Sequence, residues 1–299
     1  IFSPDASELL VKASTDAFNG IGSEIKEGQH HNAFDYRLYL YNIASKEAKM
    51  LLPNFAPSVD SYLWNPENDQ IYFTATDGAG RSVFTLNPRD LKVHKFNLPL
   101  DYVSTFSFAG YQKKPTAVIT GQAGGQRARE MFHVELNPKN TEYQRIGKIN
   151  FDEMYSDVAI GSCYDWKFQS SRGDSINGFY YLPANFDASK KYPMIVYYYG
   201  GCTPSVKLLE INYPFQVFAS LGYAVYVVQP SGAIGFGQEF AARHVNTWGD
   251  MSSDDIIEGT KQFCKEHSFV DKDKIGCIGA SYGGFMTQYL QTKTDIFAA

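Results

Sequence analysis

The sequence has few cysteines, no excess of basic residues and no long apolar run, and each of these absences excludes a class of protein. Its four cysteines, Cys163, Cys202, Cys264 and Cys277, show no C-x-x-C spacing, so they indicate neither a zinc site nor a disulfide framework. The 27 basic residues are outnumbered by 32 acidic ones, which argues against nucleic acid as a partner. Apolar runs such as residues 194–199 are too short to span a membrane.

The sequence also shows no signal-peptide pattern at its start and no metal-binding motif. The chain starts at Ile1, and nothing there resembles a signal peptide, so we expect the true N-terminus to lie outside the sequence. The compartment of this soluble protein therefore stays open, either cytoplasmic or periplasmic and secreted. His30 and His31 are adjacent, but no further ligand is spaced to join them, so neither a metal nor an organic cofactor is predicted. Homo-oligomerisation is left open.

The first half of the chain shows weakly repeated β-strand units. Aromatic residues make up 15% of the sequence, which favours strands. Three units open at Phe2, Trp64 and Phe106, and each continues with an apolar strand and then an alternating strand that ends in a turn. Repeats of about 40–50 residues built from short strands are typical of β-propeller blades. We expect residues 1–155 to form about three blades of a propeller whose other blades lie outside the sequence; an irregular β-sandwich is the alternative.

Beyond residue 160 the pattern changes to alternating strands and helices. The predicted strands cover residues 165–169, 177–182, 194–199, 224–228 and 275–278. The first two predict an antiparallel hairpin, and a later helix is predicted to begin at Asp254 or Asp255. This order predicts an open α/β sheet over residues 156–299, with its active groups at the carboxyl ends of the strands.

The pentapeptide Gly279-Ala280-Ser281-Tyr282-Gly283 stands where the last predicted strand meets the last predicted helix. Gly-x-Ser-x-Gly in that position is the nucleophile elbow of α/β-hydrolases. A serine on a tight corner leaves room for only a hydrogen two residues to either side, which is why glycines flank it. The corner lifts the hydroxyl clear of the sheet, so Ser281 is predicted to be a catalytic nucleophile. The alternative is a Gly/Ser turn without chemistry.

A serine nucleophile also needs donors for the oxyanion that develops during acyl transfer. The backbone N–H of Tyr282, the residue after the nucleophile, is predicted to be one donor. The second is expected from the loop after an earlier strand, where Tyr199 precedes Gly200 and Gly201. These glycines permit close backbone approach, and the Tyr199 hydroxyl is the predicted donor. A core aromatic residue at a strand end is the alternative for Tyr199.

The base that activates the serine cannot be assigned in this sequence. In α/β-hydrolases an acidic residue and then a histidine follow the serine along the chain. All six histidines precede Ser281, and after it only Asp295 is acidic. We therefore expect the catalytic Asp and His to be absent from this sequence, the α/β domain to be incomplete at its C-terminus, and the chain alone to have little or no turnover. His244 and His267, which flank a predicted helix, are interpreted as surface residues.

From about residue 160 to its end, the chain resembles the prolyl oligopeptidase family of serine peptidases. The motifs that carry the resemblance are Lys190-Lys191-Tyr192-Pro193, Tyr199-Gly200-Gly201, Gly222-Tyr223-Ala224-Val225, Gly235-Phe236-Gly237, Trp248-Gly249 and Gly279-Ala280-Ser281-Tyr282-Gly283-Gly284. The resemblance implies a β-propeller followed by an α/β-hydrolase domain, with Ser281 as the acylated nucleophile and Tyr199 and the Tyr282 amide as the oxyanion hole. It also implies short peptides as substrates, selected for size by the propeller.

Departures from the family pattern leave the substrate open. Ser231 stands where the family usually has an arginine, and Ala280 stands where the dipeptidyl peptidase IV branch tends to have a tryptophan. Glu24 and Glu27 do not match the acidic pair with which that branch holds a free amino terminus. The prediction is a serine peptidase, proline-preferring by analogy and of the dipeptidyl or oligopeptidase type. An acylaminoacyl peptidase or esterase, and a catalytically silent propeller–hydrolase binding protein, are the alternatives.

Overall fold

Residues 1–21, 25, 27–147, 151–209 and 213–299 are described by a computed structural model. The chain divides into two units. Unit 1 comprises Ile1–Ala123, Arg129–Ile149 and Ile234–Ala242, and unit 2 comprises Gly124–Ala128, Asn150–Ala233 and Arg243–Ala299. The division into domains at residues 1–155 and 156–299 stays a prediction.

Unit 1 is built from three antiparallel meanders. Their strands are β1 (Glu8–Ser14), β2 (Tyr36–Asn42) and β3 (Ala48–Met50) in the first, β4 (Ser58–Asn65), β5 (Gln70–Asp77), β6 (Gly80–Leu86) and β7 (Val93–Lys95) in the second, and β8 (Tyr102–Phe108), β9 (Thr116–Gln122), β10 (Glu130–Glu135) and β11 (Glu142–Gly147) in the third. Each strand pairs with the next one inside its meander. One parallel pair, Arg81 with Tyr102, joins the second meander to the third.

The second and third meanders begin one strand earlier than the sequence predicts. The expected openings at Trp64 and Phe106 lie inside β4 and β8, which are themselves the first strands of the repeats. Both strands carry a register shift, between Val59 and Ser61 in β4 and between Val103 and Thr105 in β8. Because such a bulge breaks the alternation of apolar and polar residues, it hides a strand from pattern recognition.

The core of unit 1 lies on both faces of β5. Side chains alternate along a strand, so neighbouring residues of β5 enter opposite apolar clusters. Phe73 packs in one cluster, where the ring centroids of Phe55 and Phe84 lie 5.6 and 5.3 Å away. Tyr72 packs in the other, with the Phe96 ring at 6.3 Å. β5 is therefore buried on both of its faces.

Unit 2 contains a mixed five-stranded sheet. Its strands are β12 (Ser162–Gln169), β13 (Ser175–Leu182), β14 (Tyr192–Tyr197), β15 (Ala224–Val228) and β16 (Val270–Ile278), in the spatial order β12-β13-β15-β14-β16. β12, β13 and β15 are antiparallel neighbours, whereas β14 is parallel to both β15 and β16. The predicted hairpin and the predicted strand 224–228 are therefore present, and the carboxyl ends of β14, β15 and β16 share one edge of the sheet.

The helices in the described part of the chain are α1 (Phe151–Met154), α2 (Phe215–Ser220), α3 (Gln238–Ala242), α4 (Asp250–Glu266) and α5 (Tyr282–Lys293). The predicted start of α4 was wrong, because the helix begins at Asp250 and its N-cap is Gly249, in the left-handed region at φ 87°. Asp255 lies inside the helix and is fully buried. None of these helices is both long and apolar enough to cross a membrane.

Replacing Phe73 by alanine is expected to destabilise unit 1, because it leaves a cavity between β5 and the Phe55 and Phe84 rings. Phe73 is 0% exposed, and a buried Phe→Ala substitution costs about 3–5 kcal/mol. Phe2→Ala is the matched control, since that ring is 62% exposed and its loss should cost less than about 0.5 kcal/mol. Urea unfolding of the two variants measures the difference, and equal losses would contradict this description of the core.

Candidate active site

Ser281 lies at the corner between β16 and α5 and is exposed to solvent. Its backbone angles are φ 54° and ψ −116°, a conformation that costs a residue with a side chain about 1–3 kcal/mol. The first turn of α5 holds this backbone, because the N–H groups of Gly284 and Phe285 donate to the Ser281 carbonyl at 2.9 and 3.2 Å. The serine predicted to be the nucleophile therefore occupies a strained, fixed and accessible position.

The two flanking glycines are required by contact between backbones. A Cβ on Gly279 would lie 2.7 Å from the Gly283 Cα and 2.7 Å from the carbonyl oxygen of Tyr198. A Cβ on Gly283 would lie 2.9 Å from the same oxygen. The end of β14, the corner and the first turn of α5 thus meet with no space for a side chain at either position.

Tyr199 lies two residues beyond the end of β14 and is half-buried beside the corner. Its ring centroid is 6.2 Å from that of Tyr282. Gly201 separates the two rings, since a Cβ there would lie 2.8 Å from Tyr199 Cε1 and 3.3 Å from Tyr282 Cγ. The structure thus brings Tyr199, Ser281 and Tyr282 together at one sheet edge, while their catalytic roles remain predictions.

Three further rings surround Tyr282, and the sequence predicts no catalytic role for any of them. The centroids of His244, Phe285 and Trp248 lie 4.7, 5.2 and 5.9 Å from the Tyr282 ring. Trp248 also stacks on His244 at 6.3 Å, with 16° between the ring planes. We call Tyr199, His244, Trp248, Tyr282 and Phe285 the aromatic cluster. Among His244, Trp248 and Phe285, only Trp248 belongs to a motif in the sequence, Trp248-Gly249, and that motif does not indicate the contact with Tyr282.

The interpretation of His244 and His267 as surface residues was wrong, because both side chains are half-buried against aromatic rings. His244 belongs to the aromatic cluster, and burial lowers the pKa of its imidazole. His267 packs away from the corner, with its ring centroid 4.0 Å from that of Phe263. The contact of His244 with Tyr282 was not foreseen, since these two residues are distant along the chain, whereas Phe263 precedes His267 by only four residues.

A network of ion pairs holds the loop that follows β15. Arg243 donates to both carboxylate oxygens of Asp174, at 2.6 and 2.9 Å, and to the Ser231 hydroxyl at 3.3 Å. Asp255 accepts the Ser231 N–H at 2.7 Å and pairs with Arg172. The hydrogen bonds from Arg243 lower the pKa of Asp174, whereas burial raises the pKa of Asp255. The guanidinium group of Arg243 therefore contacts Ser231 directly, and that of Arg172 is linked to it through Asp255.

The remaining sequence candidates lie elsewhere. Glu24 and Glu27 were compared with the acidic pair that binds a free amino terminus in the dipeptidyl peptidase IV branch. Glu27 is exposed, and Glu24 lies outside the described residues. Asp295 is exposed beyond the end of α5. In the described ranges no three His, Cys, Asp or Glu side chains are grouped so that they could hold a metal ion, and the four cysteines form no disulfide bond.

Comparison with known proteins points to one family. The model of the prolyl oligopeptidase family matches residues 210–299. The chain is 26% identical over 238 residues to the uncharacterized peptidase YuxL of Bacillus subtilis, covering 79% of the chain and 35% of that protein. It is 26% identical over 296 residues to dipeptidyl-peptidase 5 of Porphyromonas gingivalis, covering 98% of the chain and 40% of that protein. The family resemblance is confirmed, and the chain spans well under half the length of these relatives.

A solved structure shares the fold. Acylaminoacyl peptidase of Pyrococcus horikoshii superposes with a TM-score of 0.74 at 20% identity, over 98% of this chain and 42% of that one. At that level of identity the likeness supports a common fold and leaves the substrate undecided.

Gly279→Ala is expected to distort the corner, because its methyl group would meet two backbone atoms at 2.7 Å. Forcing a methyl group into a filled site costs about 1–3 kcal/mol. Gly276→Ala is the control, since a Cβ there would contact only the carbonyl oxygen of Ala299, at 3.5 Å. Urea unfolding of unit 2 compares the variants. A Gly279→Ala protein as stable as Gly276→Ala would contradict the steric account.

The Asp174–Arg243 pair is expected to stabilise unit 2 at pH values above 3.8, the ordinary pKa of an aspartate. The pKa of Asp174 is lower in the folded protein, so as the pH falls the Asp174 carboxylate of the unfolded chain is protonated first. The stabilisation therefore decreases and is lost as the pH falls through the folded-state pKa of Asp174. Thermal unfolding of the wild type and Asp174→Asn from about pH 6 to about pH 2.5 tests this. The two melting temperatures should converge at the acidic end, and a constant gap would count against the pair.

Proposed function

Because residues 210–299 belong to the prolyl oligopeptidase family, we propose that the chain carries the nucleophile and oxyanion hole of a serine peptidase of short peptides. The observation that carries the proposal is Ser281, exposed on a strained corner beside Tyr199 and Tyr282. The likeness to a dipeptidyl-peptidase supports peptides as the substrate class. The activity is proposed for the protein as its cell produces it, since the chain covers only part of its relatives.

The reaction we propose proceeds through an acyl-enzyme. Ser281 Oγ attacks the carbonyl carbon of the scissile peptide bond while its proton passes to a base. The carbonyl oxygen gains the electron pair and becomes an oxyanion. The C–N bond then breaks, the amine leaves with the proton, and an ester remains on Ser281. Water hydrolyses this ester and regenerates the hydroxyl.

The proposed oxyanion hole uses two donors that act where the charge develops. The Tyr282 N–H lies in the first turn of α5, where an amide has no carbonyl of its own helix to bind. The Tyr199 O–H donates from the loop after β14, whose approach Gly201 permits. Such fixed donors are effective because they need no reorganisation during the reaction.

We assign no residue of this chain as the base that accepts the Ser281 proton. No histidine follows Ser281 in the sequence, whereas the family resemblance places the acid and the histidine after the serine. We therefore keep the prediction that these 299 residues alone have little or no turnover. Turnover by the isolated chain that Ser281→Ala abolishes would overturn it.

For unit 1 we propose that the meanders are blades of a β-propeller. The meanders β4–β7 and β8–β11 each contain four antiparallel strands, which is the composition of a propeller blade. Under this proposal residues 1–155 are propeller and residues 156–299 are the first part of an α/β-hydrolase domain.

Acylaminoacyl peptidase activity is the alternative that a specific observation favours. Ala280 departs from the dipeptidyl peptidase IV pattern, and the fold resembles that of an acylaminoacyl peptidase. The nucleophile elbow at Ser281 would serve either a dipeptidyl peptidase or an acylaminoacyl peptidase. The two activities differ in whether the amino terminus of the substrate peptide is free or acylated. Comparing turnover of one peptide with a free and with an acetylated amino terminus decides between them, and an ester of the same acyl group tests for esterase activity.

Two substitutions test the proposed chemistry in the protein as its cell produces it. Ser281→Ala is expected to abolish peptide turnover. Tyr199→Phe should lower kcat about 10²–10³-fold with little change in KM, because one transition-state donor is lost. Steady-state kinetics measures both. Unchanged turnover in Ser281→Ala would exclude that residue as the nucleophile, and unchanged kcat in Tyr199→Phe would remove that residue from the oxyanion hole. A wild-type protein without turnover would favour the catalytically silent binding protein.

A further inference from the structure

A chain of contacts leads from the turn between β12 and β13 to the residue after the candidate nucleophile. It begins at Asp174, which the guanidinium of Arg243 grips with two hydrogen bonds at 2.6 and 2.9 Å. Both side chains are largely shielded from solvent, so the pair is better defined than one in open water. Arg243 directly precedes His244, and the pair therefore fixes the backbone from which the His244 ring projects.

The loop after β15 also packs against His244. Gly232 has φ 104°, and a Cβ there would lie 3.0 Å from the His244 Cβ and 3.1 Å from its Nδ1. The preceding residue, Ser231, donates its N–H at 2.7 Å to Asp255, which is fully buried in α4. The surface on which the imidazole rests is thus anchored to a helix.

The His244 ring also packs against Tyr282. The two ring centroids lie 4.7 Å apart with 60° between the planes, and Trp248 stacks on His244 as well. Burial lowers the pKa of His244, so near neutral pH an uncharged ring makes this contact. Tyr282 is the residue whose backbone N–H is proposed to hold the oxyanion.

We propose that His244 is a positioning residue for the oxyanion hole. Its ring, held by the Arg243–Asp174 pair and by Gly232, fixes the Tyr282 side chain and thereby the first turn of α5 that presents the Tyr282 N–H. The inference rests on the proposed roles of Ser281 and Tyr282. Displacements of about 1 Å in catalytic geometry reduce rates by about 10²-fold, so a change in the packing of Tyr282 is expected to reduce kcat.

A positioning role through packing makes a different prediction from a role in proton transfer. His244→Ala, in the protein as its cell produces it, should lower kcat about 10- to 100-fold while KM changes less than about threefold, because the oxyanion donor acts in the transition state. His244→Phe keeps a ring in contact with Tyr282 and should retain at least about a third of the wild-type kcat. A loss in His244→Phe as large as in His244→Ala would overturn the proposal.

His267→Ala is the matched control. That histidine also packs on an aromatic ring, at 4.0 Å from Phe263, and its other ring contacts are Trp166, Tyr180 and Phe269. Its loss should lower the melting temperature about as much as His244→Ala does but leave kcat within about twofold of the wild type. An equal fall in kcat in both variants would show a general loss of folding and would overturn the positioning role.

Asp174→Asn extends the test to a residue outside the aromatic cluster and covers the case in which His244→Ala fails to fold. It weakens the anchor of Arg243 and should lower kcat about 3- to 10-fold with KM unchanged. An unchanged kcat in Asp174→Asn would remove the ion pair from the proposal. Ser281→Ala separates the two levels: if it retains turnover the proposed function fails, and if it is inactive while His244→Ala is fully active only the positioning role fails.

Discussion

Contact between backbones at the corner after β16 is the constraint on which the rest of the site depends. A Cβ on Gly279 or Gly283 would lie within 2.9 Å of the carbonyl oxygen of Tyr198, so neither position has space for a side chain. The close approach forces Ser281 into its strained conformation and leaves its side chain in solvent. A residue held in this way is costly for folding, and such strain is characteristic of functional sites.

The parallel arrangement of β14 and β16 brings the loop that carries Tyr199 to the corner that carries Ser281. Since their carboxyl ends lie at the same edge, the loop after β14 reaches the corner after β16 without any long connection. Tyr199 and Gly201 then pack against Tyr282. The network around Asp255 adds a third segment, so that two loops and a helix terminus are fixed relative to one another before any substrate arrives. The proposed oxyanion hole requires donors that are fixed in this way.

The parts of the structure that could be predicted from the sequence are those with local causes. Gly279 and Gly283 identify the corner because their effect is confined to a few residues, and uninterrupted apolar runs identify β14 and β15. Asp255 misled the helix prediction because a buried carboxylate with a distant partner looks like an N-cap in sequence. The bulged strands β4 and β8 lack the alternation that reveals a strand. His244 could not be assigned, since its contacts with Gly232 and Tyr282 exist only in the folded chain.

Covalent labelling tests the central claim most directly. The protein as its cell produces it is incubated with a serine-directed fluorophosphonate, and the modified residue is located by mass spectrometry of its peptides. The account predicts a single adduct on Ser281, formed more slowly when Tyr199 is replaced by phenylalanine. An adduct on another serine, or none on a protein that hydrolyses peptides, would contradict it.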